Sequence, residues 1–405
     1  MLDVTKLLCR PPHPPLSPPG GEDQGEGGIR YADVKRPVVA WNLTRRCNLH
    51  CRHCYASARN APHPEELTAE EGRALVDELG RFRVPALIFT GGEPLLSADL
   101  PDLIHRAADL GIFPALSTNG TLIDGPMARR LRAAGAGYVG VSLDGIGAVH
   151  DRFRGLRGAW EQALSGLRHC RDAGLTVGIR FTLSRQTLSH LGRVLDLMEA
   201  EGVQRGYVSH LVHVGRARRL LPFALAPAET RAAVEAIFDR AESLHRRGAP
   251  LELVTGNSDA DGVLLYLRVS ERRPEAAPLV RDLLRRRGGN SAGLAIANVD
   301  DRGLAHPDQF WAHHSLGSVR ERPFGEIWSD SIQPLLARLR NRRAHIHGRC
   351  ARCPFFDLCG GGSRVRAEAL TGDLWASDPA CYLADAELGL PSLEEHHHGP
   401  CEPTG

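Results

Sequence analysis

The chain has no apolar run approaching the roughly 18–20 residues of a membrane-spanning helix, and its first residues hold no apolar signal-peptide core. A membrane span and a secretory leader are therefore not expected, and a cytoplasmic location is. A surplus of charge is also missing: 24% of the 405 residues are charged, yet the formal net charge is +2. A nucleic-acid binder would carry a concentrated basic excess, so that class is set aside. Lysine is nearly absent, and almost all the positive charge is arginine, whose planar fork suits carboxylates and phosphates. An anionic small molecule fits that supply. Ten cysteines are present, and a reducing cytosol argues against a disulfide framework for them. Clustered cysteines there point to metal.

Residues 10 to 30 are rich in Pro and Gly and poor in large apolar side chains, so residues 1–34 are expected to be a mobile tail. Residues 387–405, with His396, His397 and His398, are expected to be another. Between them apolar β-type runs occur at Val38 to Trp41, Ala86 to Phe89, Phe113 to Ser117, Tyr138 to Ser142, Val177 to Thr182 and Tyr207 to Leu211. Amphipathic stretches separate them, the first opened by a capping box of Thr68 and Glu71. Six strands with crossover helices imply an α/β fold, a parallel sheet closed or partly closed into a barrel over residues 35–250. After strand six the alternation is expected to stop. A helical linker over 251–285 and a second, cysteine-bearing domain over 286–386 follow.

In such barrels chemistry sits at the C-terminal ends of the strands, and the unusual residues fall there. Cys47, Cys51 and Cys54 follow strand one with the spacing C-x3-C-x2-C, and Gly91-Gly92-Glu93-Pro94 follows strand two. Asn119-Gly120 follows strand three, Ser142 and Asp144 end strand four, and Arg180 lies in strand five. Three thiolates within eight residues can wrap one cubane cluster and leave its fourth iron open. The alternative is a zinc site completed by His50 or His53.

C-x3-C-x2-C followed at once by Tyr55, with GGEP one strand later, resembles the radical S-adenosylmethionine (SAM) superfamily. The resemblance implies a partial (β/α)6, TIM-like barrel and a [4Fe–4S] cluster on Cys47, Cys51 and Cys54. In that family the open iron chelates S-adenosylmethionine, whose cleavage gives a 5′-deoxyadenosyl radical. It further implies that Gly91, Gly92 and Glu93 contact the methionine amino group, that Tyr55 packs near the adenine, and that Ser142, with Asp144 beside it, contacts the ribose. Arg154 and Arg180 are rival candidates for the methionine carboxylate.

Cys350, Cys353, Cys359 and Cys381 form C-x2-C-x5-C-x21-C, enough soft ligands to close either a [4Fe–4S] cluster or tetrahedral zinc. The stretch CARCPFFDLCGGGSRVRA resembles the auxiliary-cluster module called SPASM or twitch, which implies iron–sulfur. The full SPASM pattern has an upstream cysteine pair, but residues 289–303 contain no cysteine, so one auxiliary cluster is expected. Cys9, Cys170 and Cys401 are left over, Cys170 as a buried apolar residue.

Longer segments, VTGNSDADG and HPDQFW among them, are similar to the NirJ family of heme d1 biosynthesis. That resemblance implies an iron tetrapyrrole substrate, 12,18-didecarboxysiroheme, from which propionate side chains are removed. It also implies a low-potential electron donor such as ferredoxin or flavodoxin. An auxiliary cluster near the substrate suits the electron left by carbon loss. Arg216, Arg218 and Arg219 are candidates to clamp propionates. His210, His213, His306, Asp308, His313 and His314 are candidates for an iron ligand or a proton donor. Other tetrapyrrole side-chain chemistry, a peptide maturase, and a non-catalytic iron–sulfur carrier or zinc scaffold are the alternatives.

Overall fold

A computed structural model of the chain describes residues 1–9, 36–61 and 63–391. Its centre is a parallel sheet built from the expected apolar runs. These are β2 (Val38–Asn42), β3 (Ala86–Thr90), β4 (Phe113–Thr118), β5 (Tyr138–Ser142), β6 (Val177–Leu183) and β7 (Arg205–His210). Such strands, covered on both faces, must be apolar on both; Val39, Ala40 and Trp41 of β2 are all within 1% of full burial. Amphipathic helices cover the outer face, among them α2 (Ala69–Arg81), whose Thr68–Glu71 capping box closes as expected. In this α2, Leu75, Val76 and Leu79 face the core while Glu70 and Glu71 occupy the first turn, where the helix dipole favours them.

The alternation does not stop after β7. Helix Pro227–Arg246 leads to β8 (Glu252–Gly256), which pairs in parallel with β7, so the expected helical linker opens with a seventh barrel strand. At the opposite edge β9 (Ile296–Val299) pairs in parallel with β2. The hairpin strands β10 (Leu304–His306) and β11 (Gly317–Ser318) extend the sheet beyond it. The sheet stays open, ending in β1 (Leu2–Asp3) on one side and β11 on the other. It curls around one cavity of about 690 Å³ that residues from each of β2 to β9 line.

Both stretches expected to be tails contain structured residues. Leu2 pairs with Thr255 and Asp3 with Val254, and helix α1 (Val4–Cys9) follows. Leu2, Val4 and Leu8 are fully buried, which repays the ordering of these nine residues. At the other end Leu388 is 2% exposed and Glu387 pairs with Arg231. The rest of both stretches, including Cys401 and His396 to His398, lies outside the described residues. No helix among the described residues is long and apolar enough to cross a membrane.

Candidate active site

The three cysteines stand on the loop leaving β2, and the backbone of the GGEP turn holds that loop in place. Leu43 N donates to Thr90 O, Gly92 N to Thr44 O at 2.7 Å and Glu93 N to Arg46 O at 2.8 Å, so the two segments run as a short ladder. This approach demands glycine: a Cβ on Gly91, at φ +136°, would lie 2.4 Å from Thr44 O, and one on Gly92 2.2 Å from Arg46 O. The Glu93 carboxylate is wholly buried and accepts from Thr118 Oγ1, Asn119 N and Leu95 N. Burial nevertheless pushes it up to about 7. Glu93 thus braces the turn from beneath and is not among the residues that line the cavity.

Cys47 and Cys51 are 7% and 8% exposed, and Cys54 more so. Burial pushes the Cys47 thiol up to about 12, and only a bound cation would hold such sulfurs as thiolates. Positive charge gathers behind them. Arg154 Nη1 lies 3.8 Å from Cys51 Sγ, while its Nη2 pairs at 2.5 Å with the wholly buried Asp144. Asp144 also accepts from Thr182 N and lies 3.6 Å from His53 Nε2. Burial alone would raise its carboxyl, but Arg154 and His53 outweigh that and hold it below the usual range. Asp144 therefore anchors Arg154 instead of facing the cavity.

A cavity of about 150 Å³ opens from the cysteines. Of the residues the sequence singled out for S-adenosylmethionine, Tyr55, Gly91, Gly92, Ser142, Arg154 and Arg180 line it; Glu93 and Asp144 do not. Arg180, from β6, donates to Ser117 Oγ at 2.7 Å and lies over the Tyr207 ring. Tyr55 donates to Asn42 Oδ1 and meets the edge of Phe310. Tyr55, Arg180, Tyr207, Asn257 and Phe310 also border the 690 Å³ cavity, so the two spaces adjoin. Sequence reasoning passed over Tyr207 and Phe310, though Phe310 belongs to the HPDQFW segment it had marked.

Cys350, Cys353, Cys359 and Cys381 surround a cavity of about 30 Å³, walled by Ala260, Val263, Leu383 and Leu388. Gly360, Gly361 and Gly362 all take positive φ, which lets the chain turn tightly around it. Arg349 Nη1 donates to Cys381 Sγ at 3.2 Å. Beneath, the buried Arg366 pairs with Asp378 and donates to Asn257 O, joining this region to the end of β8. Among the described residues, the set of three ligand atoms lying mutually within 4.8 Å is His313, His314 and Glu368. Neither cysteine set brings its sulfurs that close. A tetrahedral zinc, with bonds of about 2.3 Å, would hold them roughly 3.8 Å apart.

The remaining candidates separate cleanly. Arg216 donates to Cys51 O and Ala58 O, so it braces the cysteine loop, and Arg218 and Arg219 are exposed. None of the three faces the larger cavity. His306 is wholly buried against Asp300, and His313 and His314 share Glu368 away from both cavities. Asp308 borders the larger cavity, where burial pushes its carboxyl up to about 6. His213 is buried without touching either space. His210 lines the smaller one. His50 is exposed and His53 faces Asp144, so neither completes a zinc site with the cysteines.

Fold and site together define a barrel protein with three cysteines on one side of a cavity at its mouth. The profile of the Radical SAM superfamily matches residues 41–198. The chain is 48% identical to the pre-heme d1 synthase of Dinoroseobacter shibae, over 87% of this chain and 88% of that protein. It is 44% identical to the Fe-coproporphyrin III synthase of Methanosarcina barkeri, over 96% of this chain and 99% of that one. Among solved structures, Streptococcus suis SuiB bound to S-adenosylmethionine superposes with a TM-score of 0.69 at 17% identity, covering 86% of this chain and 78% of that one, a likeness of fold. This chain belongs to the radical SAM superfamily and is a radical SAM enzyme.

Proposed function

We propose that the enzyme acts in heme d1 biosynthesis, removing propionate side chains from the iron tetrapyrrole 12,18-didecarboxysiroheme. The observation that carries this reading is the adjoining pair of cavities: a small one over three cysteines opens into one of about 690 Å³, a size that suits a large cofactor-like ligand. The similarity to a pre-heme d1 synthase supports the choice of substrate.

Cys47, Cys51 and Cys54 hold a [4Fe–4S] cluster, and Cys350, Cys353, Cys359 and Cys381 hold a second. The C-x3-C-x2-C spacing with a one-sided cavity supports the first assignment, and the likeness of the second stretch to auxiliary-cluster modules supports the second. Once loaded, the first cluster and S-adenosylmethionine supply a radical strong enough to take hydrogen from an unactivated propionate carbon. The chain's own part is placement. Gly91 and Gly92 present backbone to the methionine end, and Tyr55 and Ser142 flank the nucleoside. Arg154 is committed to Asp144 and Cys51, so Arg180, which borders both cavities, is the better partner for a carboxylate. On this reading the enzyme works in the cytoplasm, with ferredoxin or flavodoxin as reductant.

A second reading, removal of acetate chains, is favoured by the 44% identity to an Fe-coproporphyrin III synthase along 96% of this chain. Strictly anaerobic turnover of 12,18-didecarboxysiroheme with dithionite and S-adenosylmethionine, followed by mass spectrometry, separates them. Loss of propionate fragments is expected; loss of acetates with both propionates retained establishes the second reading, and an unchanged macrocycle defeats both.

A further inference from the structure

Two histidines, His53 and His210, line the smaller of the two adjoining cavities, and on each ring Nδ1 has no hydrogen-bond partner among the described residues. They differ in access. His53 is stacked on Phe153 at 4.4 Å, its Nε2 faces Asp144, and its Nδ1 is sealed from solvent. No ligand can reach it. His210, at the end of β7, has its Nε2 3.0 Å from Asp261 Oδ2, while its Nδ1 is not sealed and the ring lines the cavity wall. Its place is fixed further by Asn257, which donates to His210 O and itself borders both cavities.

The support behind His210 is unusually complete. Asp261 is 0% exposed and receives a donor on each oxygen, His210 Nε2 on one and the Tyr382 hydroxyl at 2.8 Å on the other. The Tyr382 ring lies nearly parallel to the imidazole. A carboxylate holding one imidazole nitrogen as N–H leaves a lone pair on the other, free to bind a metal. That arrangement is typical behind metal-ligating histidines. No histidine or cysteine lines the larger cavity, and His210 lines the smaller one, where Asn257, which is hydrogen-bonded to it, borders both. His210 is thus the imidazole with an open nitrogen that a metal entering from the larger space can reach.

We propose that His210, through Nδ1, is an axial ligand to the iron of the tetrapyrrole substrate, with Asp261 and Tyr382 as positioning residues. The inference rests on the tetrapyrrole reading above and adds the atom that holds the macrocycle in register with the cysteine site.

The test uses iron(III) coproporphyrin III as probe, titrated anaerobically into the holoenzyme and followed by electron paramagnetic resonance and magnetic circular dichroism of the ferric iron. Wild type is expected to show an imidazole-ligated spectrum. His210→Ala should lose that signature and regain it on adding free imidazole, which also shows that the variant is folded. Asp261→Asn should keep histidine ligation but weaken probe binding about 10- to 100-fold, as loss of a carboxylate behind a ligating imidazole does. If His210→Ala gives the wild-type spectrum, the axial-ligand assignment is wrong while the tetrapyrrole reading stands. If wild type binds neither this probe nor 12,18-didecarboxysiroheme, the tetrapyrrole reading itself falls.

Discussion

The two cysteine sites solve opposite problems with similar ligands. The first is one-sided: three sulfurs on a loop backed by Gly92, Glu93 and Arg154, facing a cavity of about 150 Å³. The second is closed: four sulfurs around about 30 Å³, enclosed by a triple-glycine turn and apolar side chains. A cluster held by three thiolates would keep one iron open for a small molecule, whereas one held by four could only exchange electrons. On the proposed reading, the first site would do the chemistry and the second would serve it.

The largest expected effect breaks the first site. Cys51→Ala should abolish 5′-deoxyadenosine formation on adding dithionite and S-adenosylmethionine, while iron analysis still finds the second cluster. Next comes the second site: Cys353→Ala should leave S-adenosylmethionine cleavage but stop tetrapyrrole product. Product formed at wild-type rate without the second cluster would remove the functional half of the comparison.

Glycines sharpen it at intermediate size. Gly92 packs on Arg46 O, and a Cβ on Gly289, at φ +67°, would sit 2.1 Å from the Cys359 carbonyl carbon. Forcing a methyl into either contact should cost about 1–3 kcal/mol. Gly92→Ala should therefore lower occupancy of the first cluster and nucleoside formation together. Gly289→Ala should lower occupancy of the second and spare cleavage. Iron-to-protein ratios beside 5′-deoxyadenosine assays check both, and identical effects would mean that the sites are not independent.

How much of this was legible follows from where the information lies. The six central strands came out within two residues because parallel strands buried on both faces write continuous apolar runs. β8 did not, since a five-residue strand opening with Glu252 just after Pro250 offers no run, and its pairing with β7 is decided by distant contacts. The cysteine sets were legible as spacing and glycine content. Arg216, by contrast, looked like a propionate clamp because nothing local shows that its guanidinium meets Cys51 O and Ala58 O, about 160 residues upstream. Glu93 and Asp144 stood out in the sequence, but nothing local to them shows that both are wholly buried and braced by neighbouring donors.

The smallest effect concerns the ground beside the two sites, where two carboxyls behave oppositely. Asp144 is held ionised by Arg154, whereas Asp308 is pushed up to about 6 by burial, against the hydrogen bond from Phe310 N. An unfolded Asp titrates near 3.9. The native state therefore binds the Asp308 proton more tightly, and its contribution to stability is fully present below about pH 4. It is lost as pH rises through about 6, because the folded chain must then ionise a group poor in water. Asp308→Asn stays neutral throughout while keeping an acceptor for Phe310 N. Its stability should match wild type at pH 4 and exceed it by about 2 kcal/mol at pH 8, the ceiling of 1.36 kcal/mol per unit being reduced because the side chain touches the cavity. Urea unfolding of both proteins at the two pH values measures this difference. A constant difference across pH would show that Asp308 is ionised in the folded enzyme, as Asp144 is.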